Sequence, residues 1–571
     1  MRVIRVGLIL LILLVVSGAS LYYLVEGNPF QGETGMSSYD LIVEDTPLED
    51  SVIIEEQEVY LPYELVEQWL TQNVQLQLDE ETEKIEMMIQ KIAFSFENPR
   101  IDEFVKKEPV NLNFYTKKID GKFYVPIKSL APLLGISVVY NEENGVVMID
   151  LLHRDPVIGA LSSKASLRQE PRRLSKRKVS FNEEDVVRIY NEVENYYYVR
   201  TEKGALGYVS KAEVRVVDEI EQSEKHHVFN IKQPWEPVEN IGLVWDYIGK
   251  RSPDRSHEKR ISAVDVYSPT WFRVVDEKGT IENKGDFSYA RDLTHEGYEI
   301  WALITNSFDP DLTSKLLGDQ GAQEQIIRQL LIYSALYDLG GINIDFENIH
   351  YEDRDRLTDF VDKFTDYLHE QNLVISIDVT IPSMSLNWSK VYDRERLGQI
   401  VDYVAVMTYD EHWAASPKSG SVASIGWVER GIRSTLELVP PEKILLGLPF
   451  YTRLWEEVPQ ANGSIKVSSK AYGMNRIMEI LMENEASIIW NEETGQYYSE
   501  FQQEGSTFRV WLEDQRSLGL KTTLVHKYQL AGVAAWRKDF EVAPVWETIQ
   551  LILKESVAHE QIVYEMLQPS N

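Results

Sequence analysis

The sequence predicts a multidomain protein whose C-terminal half, residues 241–556, folds as a (β/α)8 barrel. Two observations carry this prediction. Short apolar runs alternate with helical patterns from residue 241 onward, which indicates a parallel sheet buried on both faces. Polar residues collect where the fourth run ends, and the ends of barrel strands are where such folds place their chemistry. The eight runs are 242–245, 263–267, 300–304, 341–347, 374–379, 403–409, 444–449 and 532–536, followed by a last helix at 543–554.

An internal repeat in residues 53–152 predicts a small α+β module. Tyr60-Leu61-Pro62 and Tyr124-Val125-Pro126 each precede an amphipathic helix and two alternating strands, so both copies have the order strand, helix, hairpin. The region resembles the modules related to the N-terminal domain of copper amine oxidases that occur on Gram-positive surface proteins. It does not imply copper, because no histidine lies between residues 50 and 150.

Residues 156–218 contain several short alternating strands. The sequences Tyr196-Tyr197-Tyr198-Val199-Arg200 and Gly207-Tyr208-Val209 resemble a bacterial SH3-like barrel. Two interpretations stay open for its basic residues, attraction of an anionic wall polymer and an ordinary solvated loop. These residues are Lys164, Arg168, Arg172, Arg173, Lys176, Arg177 and Lys178. Residues 27–52 are predicted as a spacer, 219–240 as a linker and 557–571 as a tail.

Composition and the N-terminus bound the class of protein. A formal net charge of -33 argues against nucleic acid as a partner. The absence of cysteine excludes disulfides and thiol nucleophiles. Arg2 and Arg5 precede an apolar run at 6–25, so residues 1–26 are predicted to anchor the protein in the membrane with the rest outside. The alternative is a signal peptide cleaved near Ala19, which would release the protein.

The end of the fourth run carries a row of polar side chains. Residues two apart on a strand share one face, so Asn343, Asp345 and Glu347 are expected to line one row. Burying polar side chains inside a barrel costs free energy unless they are hydrogen-bonded, paired with an opposite charge or used in catalysis. Close carboxylates repel, which raises the pKa of one of them and suits a general acid near neutral pH.

The motifs resemble glycoside hydrolase family 18. Residues 341–347 are similar to its Asp-Gly-x-Asp-x-Asp-x-Glu signature, residues 407–410 to its strand-six motif, and Trp536 to its sugar-stacking tryptophan. Residues 456–528 resemble the α+β insertion of this family. These motifs are most similar to those of the bacterial branch of the family that contains cell-wall and spore-cortex N-acetylglucosaminidases. Gly340 and Asn343 stand where the signature has its first two aspartates, so we expect fewer acids beneath Asp345 and, as a result, slow turnover or an altered pH optimum.

The resemblance implies a retaining mechanism in which the acetamido group of the substrate is the nucleophile. Glu347 is then the general acid and base, Asp345 orients the acetamido group, Tyr409 donates its hydroxyl to it, and Trp536 forms the floor of the -1 subsite. No metal ion or organic cofactor is implied. Further predicted contacts with the glycan are Asn343, Met407, Asp410, Tyr451 and Trp271, with Trp388 and Trp413 as additional candidates.

The predicted function is hydrolysis of β-1,4 bonds at N-acetylglucosamine in peptidoglycan, on the outer face of the cell membrane or in the wall. A chitinase or chito-oligosaccharide hydrolase uses the same chemistry on another polymer and stays an alternative. A non-catalytic glycan-binding protein is the second alternative, although the retained acid Glu347 favours an enzyme. The third alternative is a scaffold protein whose function lies in the SH3-like module and whose barrel is incidental.

Overall fold

The computed structural model describes residues 41–48, 52–55, 57–72, 74–154, 157–162, 164–217 and 226–566. The chain divides into two compact units, the first formed by residues up to 95 with 116–229, and the second by 96–115 with residue 230 onward. The predicted membrane helix at 1–26 lies outside the described residues. Within the described ranges, no helix has the length and apolar character needed to span a bilayer.

The predicted order of strand, helix and hairpin is confirmed in both copies of the repeat. The two motif strands pair antiparallel, with Leu61 opposite Val125 and Pro62 opposite Tyr124. The first copy comprises Glu58–Pro62, helix Tyr63–Trp69, Val74–Asp79 and Lys84–Ile89, and the second Lys122–Pro126, helix Ala131–Leu134, Ile136–Asn141 and Val146–Leu151. Short strands at Leu41–Val43, Thr46–Leu48, Ile53–Glu55, Phe94–Phe96 and Lys117–Ile119 complete this part.

A seven-stranded sheet follows the repeat in the first unit, which ends with the short strand His227–Phe229. In sheet order its strands are Arg177–Ser180, Ser166–Arg168, Leu206–Ser210, Tyr196–Thr201, Val186–Val193, Val157–Leu161 and Val214–Val217. Arg200 joins this sheet to the repeat region through a buried ion pair with Asp150, at 2.6 Å. Of the predicted basic run, Arg168 is buried and donates to the backbone carbonyl of Arg173. The resemblances to a copper-amine-oxidase-type module and to an SH3-like barrel stay predictions.

The second unit contains the predicted barrel, which is closed and all-parallel. Its strands are β1 Ile241–Asp246, β2 Val266–Pro269, β3 Glu299–Thr305, β4 Gly341–Asp345, β5 Val374–Thr380, β6 Tyr403–Met407, β7 Ile444–Pro449 and β8 Gly532–Trp536. Each strand pairs with the next, and β8 pairs with β1. Strand β2 begins later than predicted, because the Asp265 carboxylate accepts the Gly242 N–H that a strand residue would bond.

Helices cover the barrel, and an aspartate side chain caps the N-terminus of five of them. The caps are Asp286, Asp309, Asp319, Asp393 and Asp514, whose carboxylates accept backbone N–H groups of the first turn. Each cap stabilises its helix by about 1 kcal/mol. Structural use thus accounts for part of the acidic composition. The helices are Phe287–His295, Pro310–Gly318, Gln320–Tyr337, Arg354–His369, Arg394–Ile400, Ile425–Thr435, Gln515–Tyr528, Ala543–Leu553 and His559–Met566.

An α+β segment separates β7 from the helix that precedes β8, where the resemblance implies an insertion. Its five-stranded antiparallel sheet packs on the helix Met474–Glu483 around Ile477, Leu481 and Val510. The strands are Tyr451–Pro459, Ile465–Gly473, Ile488–Asn491, Gln496–Gln503 and Ser506–Leu512. The first of them starts directly after β7, so the segment is rooted at the carboxyl end of the barrel. A hairpin of Phe272–Val274 and Ile281–Asn283 extends the sheet beside β3.

Residues 96–115 pack on the barrel helices as part of the second unit, with the helix Pro99–Lys106 and the strand Val110–Tyr115. Asn283 donates two hydrogen bonds to Asn113, from its backbone N–H to Oδ1 at 3.0 Å and from Nδ2 to the backbone carbonyl at 2.9 Å. The Phe114 ring lies against Phe287 and Tyr333. The barrel therefore takes part of its hydrophobic cover from a segment far from it in sequence.

Replacing Phe114 by Ala is expected to lower the free energy of unfolding of the barrel unit by about 3–5 kcal/mol, because the side chain is 1% exposed and its removal leaves a cavity. Denaturant unfolding followed by tryptophan fluorescence measures it, since all but one of the 13 tryptophans lie after residue 234. Phe308→Ala is the control: that ring is 45% exposed, and its loss should change stability by about 0.5 kcal/mol or less. Equal losses for the two variants would contradict the packing described.

Candidate active site

The side chain of Asn343 forms the centre of a hydrogen-bond network inside the barrel. Its Oδ1 accepts from Trp245 Nε1 at 2.9 Å and from Ser268 Oγ at 3.3 Å. Its Nδ2 donates to Ser376 Oγ at 2.9 Å and to Asp378 Oδ1 at 2.8 Å. All four hydrogen-bonding positions of the amide are therefore filled by residues of β1, β2 and β5. Asn343 was predicted as a contact of the glycan, but in the structure it is fully buried and its polar atoms serve the protein.

Asp345 is the last residue of β4, and Glu347 lies two residues beyond it. The backbone of Glu347 is held by Asn306, which follows β3. Glu347 N–H donates to Asn306 Oδ1 at 3.0 Å, and Asn306 Nδ2 donates to the Glu347 carbonyl at 2.8 Å. Between the two acids, the Phe346 carbonyl accepts from Tyr392 Oη at 2.8 Å. These contacts let the row of inward side chains continue past the end of the strand.

Asp345 and Glu347 form a hydrogen-bonded pair in an enclosed site. Burial is the largest influence on both, and it raises the pKa of each carboxyl well above its ordinary value. The charge of Asp378 raises the pKa of Asp345 further, and the charges of Asp345 and Asp410 raise that of Glu347. The hydrogen bond between the pair lowers the pKa of Asp345 and raises that of Glu347. These directions suit Glu347 as the proton donor of the pair and Asp345 as the acceptor.

Two carboxylates on neighbouring strands occupy the regions where β4 departs from the family signature. Asp378 of β5 contacts Asn343 and is 2% exposed. Glu299 of β3 fills the space that any side chain at Gly340 would need. The prediction named neither residue. The alternation of Ser376 and Asp378 with apolar residues on β5 is the signal that could have found Asp378, since it repeats the pattern of β4.

Tyr409, Asp410 and Tyr451 lie together after β6 and β7. Tyr451 Oη donates to Asp410 Oδ1 at 2.5 Å, and the rings of Tyr409 and Tyr451 meet edge to face at 6.2 Å. Asp410 has a left-handed backbone with φ of 59°. Arg453 Nη2 also donates to Asp410, at 3.1 Å, and this arginine was missed in the sequence. Burial and the acid charges around it raise the pKa of Tyr409 well above its ordinary value, so its hydroxyl is a hydrogen-bond donor.

The tryptophans divide between the site and the core. Trp536 ends β8, is half-buried, and lies 6.1 Å from the ring of Trp245. Trp388 and Trp413 are 44% and 53% exposed on the loops after β5 and β6. Trp271, predicted as a glycan contact, is instead a core residue with 0% exposure. Its Nε1 donates to Ser252 Oγ at 3.0 Å, and its ring packs on Tyr289 and Tyr337, which leaves no face for a sugar.

Most of the other predicted residues meet at the carboxyl ends of the strands. Asp345, Glu347, Tyr409, Asp410, Tyr451 and Trp536 end or follow β4, β6, β7 and β8, and Met407 is the half-buried last residue of β6. The electrostatic influence of Glu347, Asp345 and Asp378 on Tyr409 places these four groups within one site. The arrangement can donate a proton from Glu347 beside a carboxylate and a hydroxyl donor.

Comparison with known proteins agrees with this geometry. Residues 267–541 match the family described as glycosyl hydrolases family 18. The match covers less than half of the chain and supports a glycoside hydrolase. The matched residues begin at β2 and extend past β8, so they contain the whole row of β4, the strand-six motif and Trp536.

The proteins to which this part of the chain is similar include bacterial glycosylases. Over 264 residues, 44% of this chain and 74% of the relative, the chain is 27% identical to the uncharacterized glycosylase YvbX of Bacillus subtilis (strain 168). It is 27% identical to the cortical fragment-lytic enzyme of the same organism over 43% of this chain and 58% of that enzyme. It is 26% identical to that of Bacillus anthracis over 48% of this chain and 64% of that enzyme. The chain thus matches less than two thirds of either cortical enzyme.

Proposed function

We propose that the protein hydrolyses β-1,4 bonds at N-acetylglucosamine in peptidoglycan, with the acetamido group of the substrate as nucleophile. The observation that carries the proposal is the placement of Asp345 and Glu347 together at the carboxyl end of β4, where Asn306 holds the Glu347 backbone and burial raises the pKa of both carboxyls. A buried protonated carboxyl beside an ionisable one matches the need of this reaction for an acid and a separate charge stabiliser.

The proposed first step breaks the glycosidic bond. Glu347 transfers its proton to the glycosidic oxygen, and the carbonyl oxygen of the acetamido group forms a bond to the anomeric carbon as the glycosidic C–O bond breaks. Asp345 accepts a hydrogen bond from the acetamido N–H and stabilises the positive charge that develops on the oxazolinium ring. The Tyr409 hydroxyl donates to the same acetamido group, and Trp536 covers the apolar face of the sugar.

The proposed second step releases the sugar. Glu347, now a carboxylate, accepts a proton from a water molecule whose oxygen attacks the anomeric carbon. The bond to the acetamido oxygen breaks, and Glu347 is again protonated. Both displacements occur on the same carbon, so the configuration is retained. Asn306 maintains the position of Glu347 through both steps, because it binds the backbone on either side of that residue's side chain.

The choice of peptidoglycan over neutral chitin rests on charge at the mouth of the barrel. Arg537 follows Trp536, and its guanidinium lies 4.7 Å from the ring centre of Tyr247 and 4.0 Å from that of Phe540. Partial burial lowers its pKa. Among the residues that the structure describes, the contacts of this side chain are with these two rings, and no ion pair or hydrogen bond of it is found. Lactyl and peptide carboxylates of a wall glycan are anions that a held but unpaired arginine is suited to bind.

Replacing Arg537 by Gln is expected to raise the KM for soluble peptidoglycan fragments about tenfold, which corresponds to about 1.4 kcal/mol for one charge-assisted contact. The kcat/KM for neutral chito-oligosaccharides should stay within about twofold of that of the unchanged protein. Arg260→Gln is the matched control, because Arg260 also lies over a tyrosine ring but at the opposite end of the barrel. Parallel losses on both substrates, or no loss on the fragments, would remove the argument for an anionic substrate.

The placement of the protein is part of the proposal. The basic residues and apolar run at the N-terminus support an anchor in the cell membrane, with the family 18 domain on the outer side. Release into the medium is the alternative if the segment is cleaved. The β-rich first unit, with exposed Arg172, Arg173 and Lys176, is proposed to contact the anionic wall rather than to take part in the chemistry.

A further inference from the structure

We infer that Asp378 of β5 is a positioning residue for catalysis, which sets the charge state of Asp345 in place of the aspartate that β4 lacks at Asn343. The inference rests on the proposed function, because it concerns the same reaction. The family signature places the buried acid next to Asp345 on β4 itself. In this protein the corresponding acid is Asp378, on the neighbouring strand β5.

The orientation of Asn343 fixes its contact with Asp378. Trp245 Nε1 can only donate, so the atom of Asn343 that faces it must be the amide oxygen. The Nδ2 group then points to β5, where it donates to Asp378 Oδ1 at 2.8 Å. A rotated amide would set its N–H groups against the indole N–H and leave the Asp378 oxygen without this donor. The Asn343 amide thus acts as a rigid spacer between β1 and the carboxyl of Asp378.

Asp378 is buried without a cation. Its side chain is 2% exposed, and no lysine, arginine or histidine of the described ranges forms an ion pair with it. The groups that face it are the carboxyls of Asp345 and Glu347 and the hydroxyls of Tyr392 and Tyr409. Arg394 lies beside Tyr392, but its Nη1 and Nη2 donate to the backbone and hydroxyls of Thr380 and Ser389.

The carboxyls of Asp345 and Asp378 cannot both be ionised at low cost in such a site, so these two residues share one proton. Burial and the charge of Asp378 raise the pKa of Asp345. Burial also raises the pKa of Asp378, the hydrogen bond from Asn343 lowers it, and the charge of Glu347 raises it. A proton retained on Asp378 allows Asp345 to be fully ionised when a cationic sugar intermediate forms beside it. A proton on Asp345 leaves the charge on Asp378, where the Asn343 amide stabilises it.

The other departure of β4 follows the same pattern. Where Gly340 replaces an aspartate of the signature, the carboxylate of Glu299 on β3 occupies the adjoining space, and burial raises its pKa. Both positions that lost an acid on β4 are therefore next to an acid on a neighbouring strand.

The test compares the full chain with Asp378→Asn and with the exchanged variant Asn343→Asp/Asp378→Asn, which returns the acid to β4 and keeps an amide–carboxyl pair. Removing the charge of Asp378 lowers the pKa of Asp345. The acidic limb of the kcat/KM profile is therefore expected to move down by about one pH unit in Asp378→Asn. We expect kcat to fall about tenfold or more at an unchanged KM. The exchanged variant should recover the acidic limb of the unchanged protein.

Ser376→Ala is the matched control, because it removes the other acceptor of the Asn343 amide without removing a charge; its acidic limb should not move. The inference would be overturned if the acidic limb of the kcat/KM profile of Asp378→Asn lies at the same pH as that of the unchanged protein. It would also be overturned if the exchanged variant has its acidic limb at the same pH as Asp378→Asn. Thermal unfolding of every variant identifies a fold defect. If Asp378→Asn alone fails to fold, the exchanged variant tests the inference by itself, because its pH profile of kcat/KM matches that of the unchanged protein only if the carboxyl on β4 takes over the role of Asp378.

A second measurement separates this inference from the proposed function. Infrared titration of the Glu347→Gln variant counts protonated carboxyls without any turnover. We expect a protonated carboxyl near neutral pH that disappears, or titrates at lower pH, when Asp378→Asn is added. An unchanged titration would overturn the inference even if the protein is active. Conversely, an inactive full chain whose titration changes as expected would contradict the proposed function and leave the carboxyl pair in place.

Discussion

Replacing Glu347 by Gln is expected to lower kcat on peptidoglycan by about 10²–10⁴-fold with little change in KM, because the amide fills the same volume but cannot give or accept the proton. The fold should survive, since Asn306 binds the backbone of Glu347 and not its carboxyl. Steady-state kinetics on soluble wall fragments measures the effect. Glu352→Gln, an exposed acid on the same loop, is the control and should retain full activity.

The stability of Glu347→Gln provides an independent check with a definite sign. Burial raises the pKa of Glu347, so above the unfolded pKa the folded state binds a proton that the unfolded state has lost. The stability associated with this group is present at low pH and is lost as the pH rises through the folded pKa. The variant has no such loss, and its Tm above neutral pH should equal or exceed that of the unchanged protein. A lower Tm together with lost activity would indicate a fold defect instead of lost chemistry.

Replacing Asp345 by Asn is expected to lower kcat by about 10²–10³-fold, because the cationic intermediate loses the carboxylate that stabilises it. The pH profile should change as well. The charge of Asp345 and its hydrogen bond both raise the pKa of Glu347, so the variant should lose its general acid at lower pH. The alkaline limb of the kcat profile is therefore expected to move to lower pH.

Asp355→Asn serves as the control for Asp345→Asn, since this exposed aspartate lies on the helix that follows β4. Its kcat and its alkaline limb should match those of the unchanged protein. A large loss of kcat in Asp345→Asn without any movement of the alkaline limb would contradict the hydrogen-bonded pair, because the two acids would then titrate independently. If the alkaline limb moves but kcat is nearly unchanged, Asp345 raises the pKa of Glu347 without stabilising the cationic intermediate.

The architecture of the barrel was predictable because its signal is local and repeated. Each strand is a continuous apolar run, and β5, β7 and β8 have nearly the predicted bounds. Strand ends were harder to predict. Where a side chain takes over a backbone contact, as Asp265 does before β2 and Asn306 does after β4, the sequence pattern does not reveal where the ladder stops.

The composition of the site was predictable only in part. Residues on β4 were found because two acids and an amide alternate there with apolar residues. Asn306 and Arg453 were missed, since each lies on a different strand end and acts on a residue far from it in sequence. Trp271 was misplaced for the opposite reason. An indole is equally suited to a sugar and to an aromatic cluster, and only its contacts with Tyr289 and Tyr337 decide between them.

The segment 96–115 shows how distant parts of the chain affect the design of experiments. It precedes the barrel by more than one hundred residues but supplies Phe114 and Asn113 to the barrel unit. A fragment that begins at the linker would expose the surface that these residues cover. Kinetic comparisons should therefore use the full chain.

The central claim is that the protein cuts next to N-acetylglucosamine in peptidoglycan with Glu347 as its acid. The most direct test is to digest purified peptidoglycan with the full chain, reduce the products, and identify their end sugars by mass spectrometry. We predict new ends derived from N-acetylglucosamine, which Glu347→Gln does not produce. Ends derived from N-acetylmuramic acid, or products from neutral chito-oligosaccharides alone, would contradict the claim.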